Sequence, residues 1–211
     1  MKVEEIKKMV IAACDAIIAS EPSLTEIDRK IGDGDHGTGM ALGMKTAKEA
    51  LLAKGSFETV NDVFKTAGMA MLNSMGGASG VIFGSFFLGG IKGKAAITEL
   101  DGKTFQSIME GSLDAIKKRG GAGVGDKTMV DALEPAVMAM KEKDSGSMAE
   151  MMEAAATAAA EGVEATKQQI AKFGRAQYLG ERAIGFQDAG ATSVLILFRA
   201  MSDYLRGQKI E

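Results

Sequence analysis

Apolar residues recur at three- and four-residue steps along most of the chain, the spacing that lines one stripe of an α-helix. Val3, Ile6, Val10, Ala13, Ile17 and Ile18 form the first stripe, and Pro22 closes it, so a helix is expected over residues 3–20. Met40, Met44, Ala47 and Leu51 predict a second helix, and Phe57, Val60, Phe64, Ala67 and Met71 a third. Phe105, Ile108, Met109, Ser112 and Ile116 predict another. Met129, Leu133, Val137 and Met140 mark a helix that Pro135 should kink, because proline removes a backbone hydrogen bond. Residues 148–172 are rich in Ala, Glu, Met, Gln and Lys, all strong helix formers, with Met148, Met152, Ala155, Ala159, Val163, Thr166 and Ile170 inward. The last helix is expected from about Ala191, burying Val194, Phe198, Met201 and Leu205. Residues 81–91 suit a strand as well as a helix. They are read as a helix, because a lone strand among helices has nothing to pair with. The pattern therefore predicts an all-α fold of eight helices, most simply antiparallel neighbours joined by short connections.

Length places this pattern in one domain, residues 1–211, since a domain typically takes ~150 residues and no composition break divides the chain. A domain of this size buries roughly 70% of its unfolded surface, enough for a core without disulfides, and the single Cys14 cannot form an intrachain bridge. The net charge of −3, with no Trp and two Tyr, argues against nucleic acid or an anionic membrane as partner. Glu4 and Glu5 stand where a signal peptide needs basic and then apolar residues, and the apolar runs 81–88 and 194–198 fall short of the ~20 residues of a membrane span. A cytoplasmic protein is expected. The fifteen methionines suit irregular gaps between close-packed helices; the alternative is a central cavity for an apolar ligand.

Four glycine-rich stretches interrupt the helices: residues 31–37, 76–80, 120–128 and 174–190. Each precedes an expected helix. Glycine there lets backbone N–H groups approach a ligand, and the positive end of the helix dipole favours anions, so several such starts at one rim would bind phosphate. Taken singly, each stretch can equally be a plain turn. Two familiar signatures are rejected. Gly32, Gly34 and Gly37 have dinucleotide-fold spacing, but no strand precedes them and Asp33 and Asp35 would repel pyrophosphate. Residues 121–128 resemble a P-loop, yet Asp126 separates the glycine from Lys127. A calcium loop starting at Asp33 would need Glu where Met44 stands.

Asp28, Asp33 and Asp35 remain. Three carboxylates within eight residues repel one another unless water or a cation screens them. Mg²⁺ fits best, because it takes one or two carboxylates, keeps several waters and uses substrate phosphates as its other ligands. The plainer alternative is a solvated acidic turn.

Taken together, Leu24-Thr25-x-x-Asp28-x-x-Ile31-Gly32-Asp33-Gly34-Asp35-His36-Gly37, Gly76-Gly77-Ala78-Ser79-Gly80, Gly125-Asp126-Lys127-Thr128-Met129, Gly174-Arg175-Ala176-x-Tyr178-Leu179-Gly180-Glu181-Arg182 and Asp188-x-Gly190-Ala191-Thr192-Ser193 resemble the DhaL family, the nucleotide-binding subunits of dihydroxyacetone kinase. The resemblance runs over nearly the whole chain with the motifs in order. It implies a closed barrel of eight antiparallel helices with the nucleotide at one rim, and a free subunit of the phosphotransferase-system type. It further implies that ADP (or ATP) stays bound with two Mg²⁺ ions. The ADP would be rephosphorylated by a phosphotransferase-system multiphosphoryl donor protein and would pass phosphate to dihydroxyacetone on a separate dihydroxyacetone-binding kinase subunit. A homodimer is the assembly expected.

The same resemblance assigns Asp28, Asp33 and Asp35 to the metal, and His36, Gly37, Thr38, Gly39, Ala78 and Ser79 to the phosphates. Gly120 and Met129 would flank the adenine, and Arg175, Asp188, Ala189 and Gly190 would close over the nucleotide. Residues 174–190 are read as its cap. No nucleophile is required of this chain, so no catalytic residue is assigned; His36 would donate a hydrogen bond to phosphate rather than carry a phosphoryl group. Three positions depart from the family: Gly39 where many relatives have Asn, Ala189 where many have Pro, and Phe186 where His is common. The competing readings are a subunit of an ATP-dependent short-ketose kinase and a non-catalytic nucleotide- or lipid-binding helical module.

Overall fold

Alternation of helix direction around a closed ring is the feature of the fold that builds the site. In the computed structural model, which describes residues 1–143 and 146–207, the α-helices are α1 (Val3–Ala19), α2 (Glu21–Ile31), α3 (His36–Ala53), α4 (Val60–Ser74), α5 (Gly77–Leu88), α6 (Gly102–Gly120), α7 (Val130–Glu142), α8 (Met148–Thr166) and α9 (Ala189–Gly207). A 3₁₀ segment, Arg175–Ala183, lies between α8 and α9. Among the described residues there is no strand, and the one β-type contact is an isolated antiparallel bridge between Lys2 and Glu99. No helix among them is long and apolar enough to cross a membrane.

All eight expected helices are present. Each packs against the next in the order α1, α3, α4, α5, α6, α7, α8, α9, and α9 packs back on α1, so the eight close into a barrel. The barrel is filled by Phe64, Phe86, Phe87, Phe105 and Phe198 together with methionines such as Met9, Met40, Met44, Met71, Met109 and Met201, all fully buried. Burial of this apolar surface, at roughly 25 cal/mol per Å², is what holds the ring together. α7 and α8 meet at Gly162, where an added Cβ would lie 2.1 Å from the main-chain oxygen of Asp131. Only glycine fits that crossing.

The structure corrects the expected elements in four places. Pro22 does not merely end the first helix. It stands in the first turn of α2, where its missing N–H would have had no helical acceptor anyway, and Ser20 serves as both the end of α1 and the start of α2. Asp28 is therefore carried by a helix, with Leu24 and Ile31 on its buried face. The helix expected from Phe57 begins at Val60, because the Thr59 hydroxyl accepts from the Asp62 N–H and caps it. The helix expected to reach Lys172 ends at Thr166, and Ile170, read as inward, is exposed. Residues 174–190 are not structureless, since the 3₁₀ segment occupies most of them. Pro135 lies inside α7, which continues through it to Glu142.

Candidate functional site

Because neighbours in the ring alternate in direction, every second helix starts at the same rim. The N-terminal ends of α3, α5, α7 and α9 all line one open cleft of about 670 Å³, through Asp35, His36, Thr38 and Gly39; Gly76–Ser79; Thr128 and Met129; and Asp188–Gly190. First-turn N–H groups have no intrahelical acceptor and carry the positive end of the helix dipole. Such ends favour anions, and at three of them carboxylates already accept N–H groups: Asp28 from His36, Asp131 from Thr128 and Asp188 from Ala191.

Across the same cleft, ligand oxygens of Asp28, Asp33 and Asp35 come within 4.8 Å of one another. The Asp28 carboxylate, projecting from α2, accepts from the N–H of Gly34 at 2.8 Å and of His36 at 3.3 Å, which fixes the turn between α2 and α3. Asp33 and Asp35 are exposed. The Asp35 carboxyl is raised above its ordinary range, first by burial and then by the neighbouring Asp33 and Asp28, with Arg175 opposing. Arg175, from the 3₁₀ segment, places Nε 2.9 Å from Asp33 Oδ2. A cluster of hard oxygen donors that repel one another, open to solvent beside an anion site, matches what Mg²⁺ with a phosphate ligand requires.

His36 is wedged between helices. Its ring packs against Phe83 at 5.8 Å between centroids, and Nε2 lies 2.8 Å from Ser193 Oγ. Burial lowers its pKa, with the Asp28 carboxylate opposing, so the imidazole is neutral at pH 7. Just before α9, Asp188 accepts from the N–H of Ala191 at 2.7 Å and caps the helix, and burial pushes its carboxyl up to about 7.

The stretch that mimics a P-loop is organised otherwise. Asp126 Oδ2 accepts from Gly123 N–H, while Asp131 accepts from Gly125 N–H at 2.6 Å and Thr128 N–H at 2.7 Å. Amides a P-loop would offer to phosphate are thus already bonded to carboxylates. Asp131 escaped sequence reasoning, although its spacing from Thr128 resembles a capping box, which was a usable signal.

Of the residues expected at the site, Asp28, Asp33, Asp35, His36, Thr38, Gly39, Ala78, Ser79, Met129, Arg175, Asp188, Ala189 and Gly190 line the cleft. Gly37 does not. It is buried against α2, where an added Cβ would lie 2.2 Å from Thr25 Oγ1 and 2.4 Å from Glu21 O. Gly120 stands behind Ile82 rather than among the lining residues. The cleft also includes Leu42, Ile82 and Phe173, which sequence reasoning missed. Isolated apolar residues in helices carry no signal that separates a binding wall from a core.

Residues 30–203 match the family model described as the DAK2 domain. The chain is 42% identical over 84% of its length to the ADP-binding subunit DhaL of PEP-dependent dihydroxyacetone kinase 1 from Listeria innocua, covering 84% of that relative. It is 35% identical over 91% of its length to the ADP-binding subunit DhaL of the PEP-dependent dihydroxyacetone kinase of Escherichia coli, covering 92% of it. Among solved structures, the dihydroxyacetone kinase from C. freundii in complex with AMP-PNP and Mg²⁺ superposes with a TM-score of 0.73 at 26% identity over 94% of this chain. This chain spans 33% of that larger one.

Proposed function

Because the chain belongs to the DAK2 domain family, we propose that it is the ADP-binding subunit of a PEP-dependent dihydroxyacetone kinase. The observation that carries this reading is the acidic triad set within 4.8 Å beneath four converging helix N-termini. Asp28, Asp33 and Asp35 would hold Mg²⁺, two ions in the proposed arrangement. Mg²⁺ held by these carboxylates would supply positive charge to offset that of the nucleotide phosphates.

The chain's own residues do the rest. Thr38 of α3 and the first turn of α5, at Ala78–Ser79, would face the phosphate oxygens, the His36 N–H staying with Asp28 and the Gly39 N–H with Asp35 O, and Gly37 acts from behind by letting α2 press on α3. Met129 and Ile82, the latter in front of Gly120, would offer an apolar wall to the adenine. Arg175 and the Asp188–Gly190 turn close the cleft, with the 3₁₀ segment excluding water from one side. Phosphoryl transfer needs positioning and charge stabilisation more than a covalent protein group, and this half-site is built for both. The acceptor hydroxyl belongs to dihydroxyacetone on a second subunit, and the donor is a phosphotransferase-system protein that recharges the bound ADP. The subunit is proposed to act in the cytoplasm, as a homodimer.

The test is reconstitution. The purified chain should retain ADP through gel filtration in Mg²⁺. With the dihydroxyacetone-binding subunit added, phosphorylation should depend on phosphoenolpyruvate and the phosphotransferase proteins. Turnover driven by free ATP alone would select the ATP-dependent kinase instead, and a lipid adduct without nucleotide in native mass spectrometry would select the carrier module.

A further inference from the structure

Lys127 lines the cleft and has no part in the roles assigned above, yet it is tightly constrained. Its φ of 59° lies in the left-handed region, which residues with a side chain rarely adopt. The residue is only 1% exposed. Its Nζ donates to two main-chain oxygens, those of Thr166 and Phe186, each at 2.5 Å.

Those two carbonyls are the two feet of one segment. Thr166 is the last residue of α8, and Phe186 stands just before α9 begins. Two further bonds close the same neck: Gly185 N–H to Lys167 O at 2.7 Å, and Asp188 N–H to Thr166 Oγ1 at 3.0 Å. Everything between the feet belongs to the cap, including Phe173–Ala176 on the cleft wall. Away from the neck, the cap is joined to the barrel by the Lys172 N–H, which donates to Asp126 O at 3.2 Å, and by Phe173, partly buried against the main core. Its remaining apolar attachment is a small separate cluster of Ile31, Ala171, Ala176 and Ala183 with Leu179 against them. Its ion pairs to the body, Lys172–Asp126 and Arg175–Asp33, involve exposed cations. Exposed pairs and alanine contacts stabilise weakly, so a segment attached by them opens easily unless its neck is fixed. Burial lowers the pKa of the ammonium, with the Asp188 and Asp131 carboxylates that it faces opposing.

We propose that Lys127 is a positioning residue that clasps the neck of the cap, joining Thr166 to Phe186 so that Arg175 and the Asp188–Gly190 turn stay over the bound nucleotide. The ligand in this statement rests on the ADP-binding reading; the clasp does not, and it is tested first without ligand.

Lys127→Met removes the ammonium at similar length, and Lys127→Gly removes it while relieving the left-handed backbone. In both variants, hydrogen–deuterium exchange of residues 168–187 in the unliganded protein should accelerate by about tenfold or more, with α1, α4 and α6 unchanged. Exchange in that segment within about twofold of wild type in the Gly variant overturns the proposal. With Mg-ADP, dissociation should speed by about tenfold while association stays within about twofold; a general loss of stability would not split the two rates in this way. Failure of wild type to bind Mg-ADP sinks the nucleotide reading and leaves the exchange result to judge the clasp. Should both variants fail to fold, wild-type Lys127 is followed by acetylation with acetic anhydride. It should react at the rate at which the cap amides exchange, and reaction at the slower rate of the barrel amides overturns the clasp.

Discussion

Nε2 of His36, at the start of α3, lies 2.8 Å from Oγ of Ser193, near the start of α9, although 157 residues separate them in sequence. The contact ties together two of the helix ends that line the cleft. Ser193 also donates to Ala189 O at 3.1 Å, which commits its single hydroxyl proton. Placing that proton on Ala189 O assigns the neutral imidazole as donor through Nε2–H, and the ring also hydrogen-bonds the Ala189 main chain, which opposes the effect of burial on its pKa.

Ser193→Ala should therefore disturb one assignable group, since His36 is the only histidine. Wild-type ¹⁵N spectra should show the Nε2–H tautomer at pH 7, and the variant a mixture of tautomers. Leaving the buried N–H without its acceptor should cost about 1–3 kcal/mol in urea unfolding. An unchanged spectrum would remove Ser193 from the account.

Asp33→Ala separates metal binding from folding. Asp33 is exposed and its ion pair is with Arg175, a pair of a kind worth about 0–1 kcal/mol, so the melting temperature of the free protein should barely move. Calorimetric affinity for Mg-ADP should fall on the order of 100-fold, because the cluster loses a third of its carboxylates. Undiminished affinity would place the metal elsewhere.

Gly37 and Gly39 should respond in opposite ways. Gly37→Ala drives a Cβ into Thr25 and the backbone of Glu21 and should destabilise the chain by about 1–3 kcal/mol, separating α2 from α3. At Gly39 nothing lies within 4 Å of an added Cβ. Gly39→Asn should be neutral or stabilise α3 by a few tenths of a kcal/mol, since glycine is a poor helix residue, and it adds a polar group facing the cleft. Thermal melts with and without Mg-ADP read both effects.

Asp188 sets a pH dependence whose sign can be stated. Its folded pKa of about 7 lies above the ordinary 3.8, so between these values the folded chain binds a proton the unfolded chain has lost. The stability from this group is complete below about pH 4 and is lost as pH rises to about 7. Asp188→Asn, which keeps an oxygen for the Ala191 N–H, should flatten that fall. The readout is the slope of urea-unfolding free energy between about pH 4 and about pH 8, because removing the carboxylate also takes a counter-charge from Lys127.

The helices were legible because each carries its own evidence. Val3 through Ile18 or Phe105 through Ile116 repeat on a helical period that burial imposes locally. The acidic triad was equally visible, since Asp28, Asp33 and Asp35 lie within eight residues of one another. α2 was missed where proline could mean either an end or a beginning. Choosing between the two needs the partner surface that buries Leu24 and Ile31.

What the order of residues determined alone was an all-helical chain with its glycines at helix starts and three carboxylates within eight residues. Only the closed ring decided that the starts of α3, α5, α7 and α9 share a rim, that Ser193 meets His36, and that Lys127 reaches both Thr166 and Phe186. The reason is physical. A helical period records burial one turn at a time, whereas contacts between residues tens of positions apart depend on how whole helices pack, and no short window of sequence contains that information.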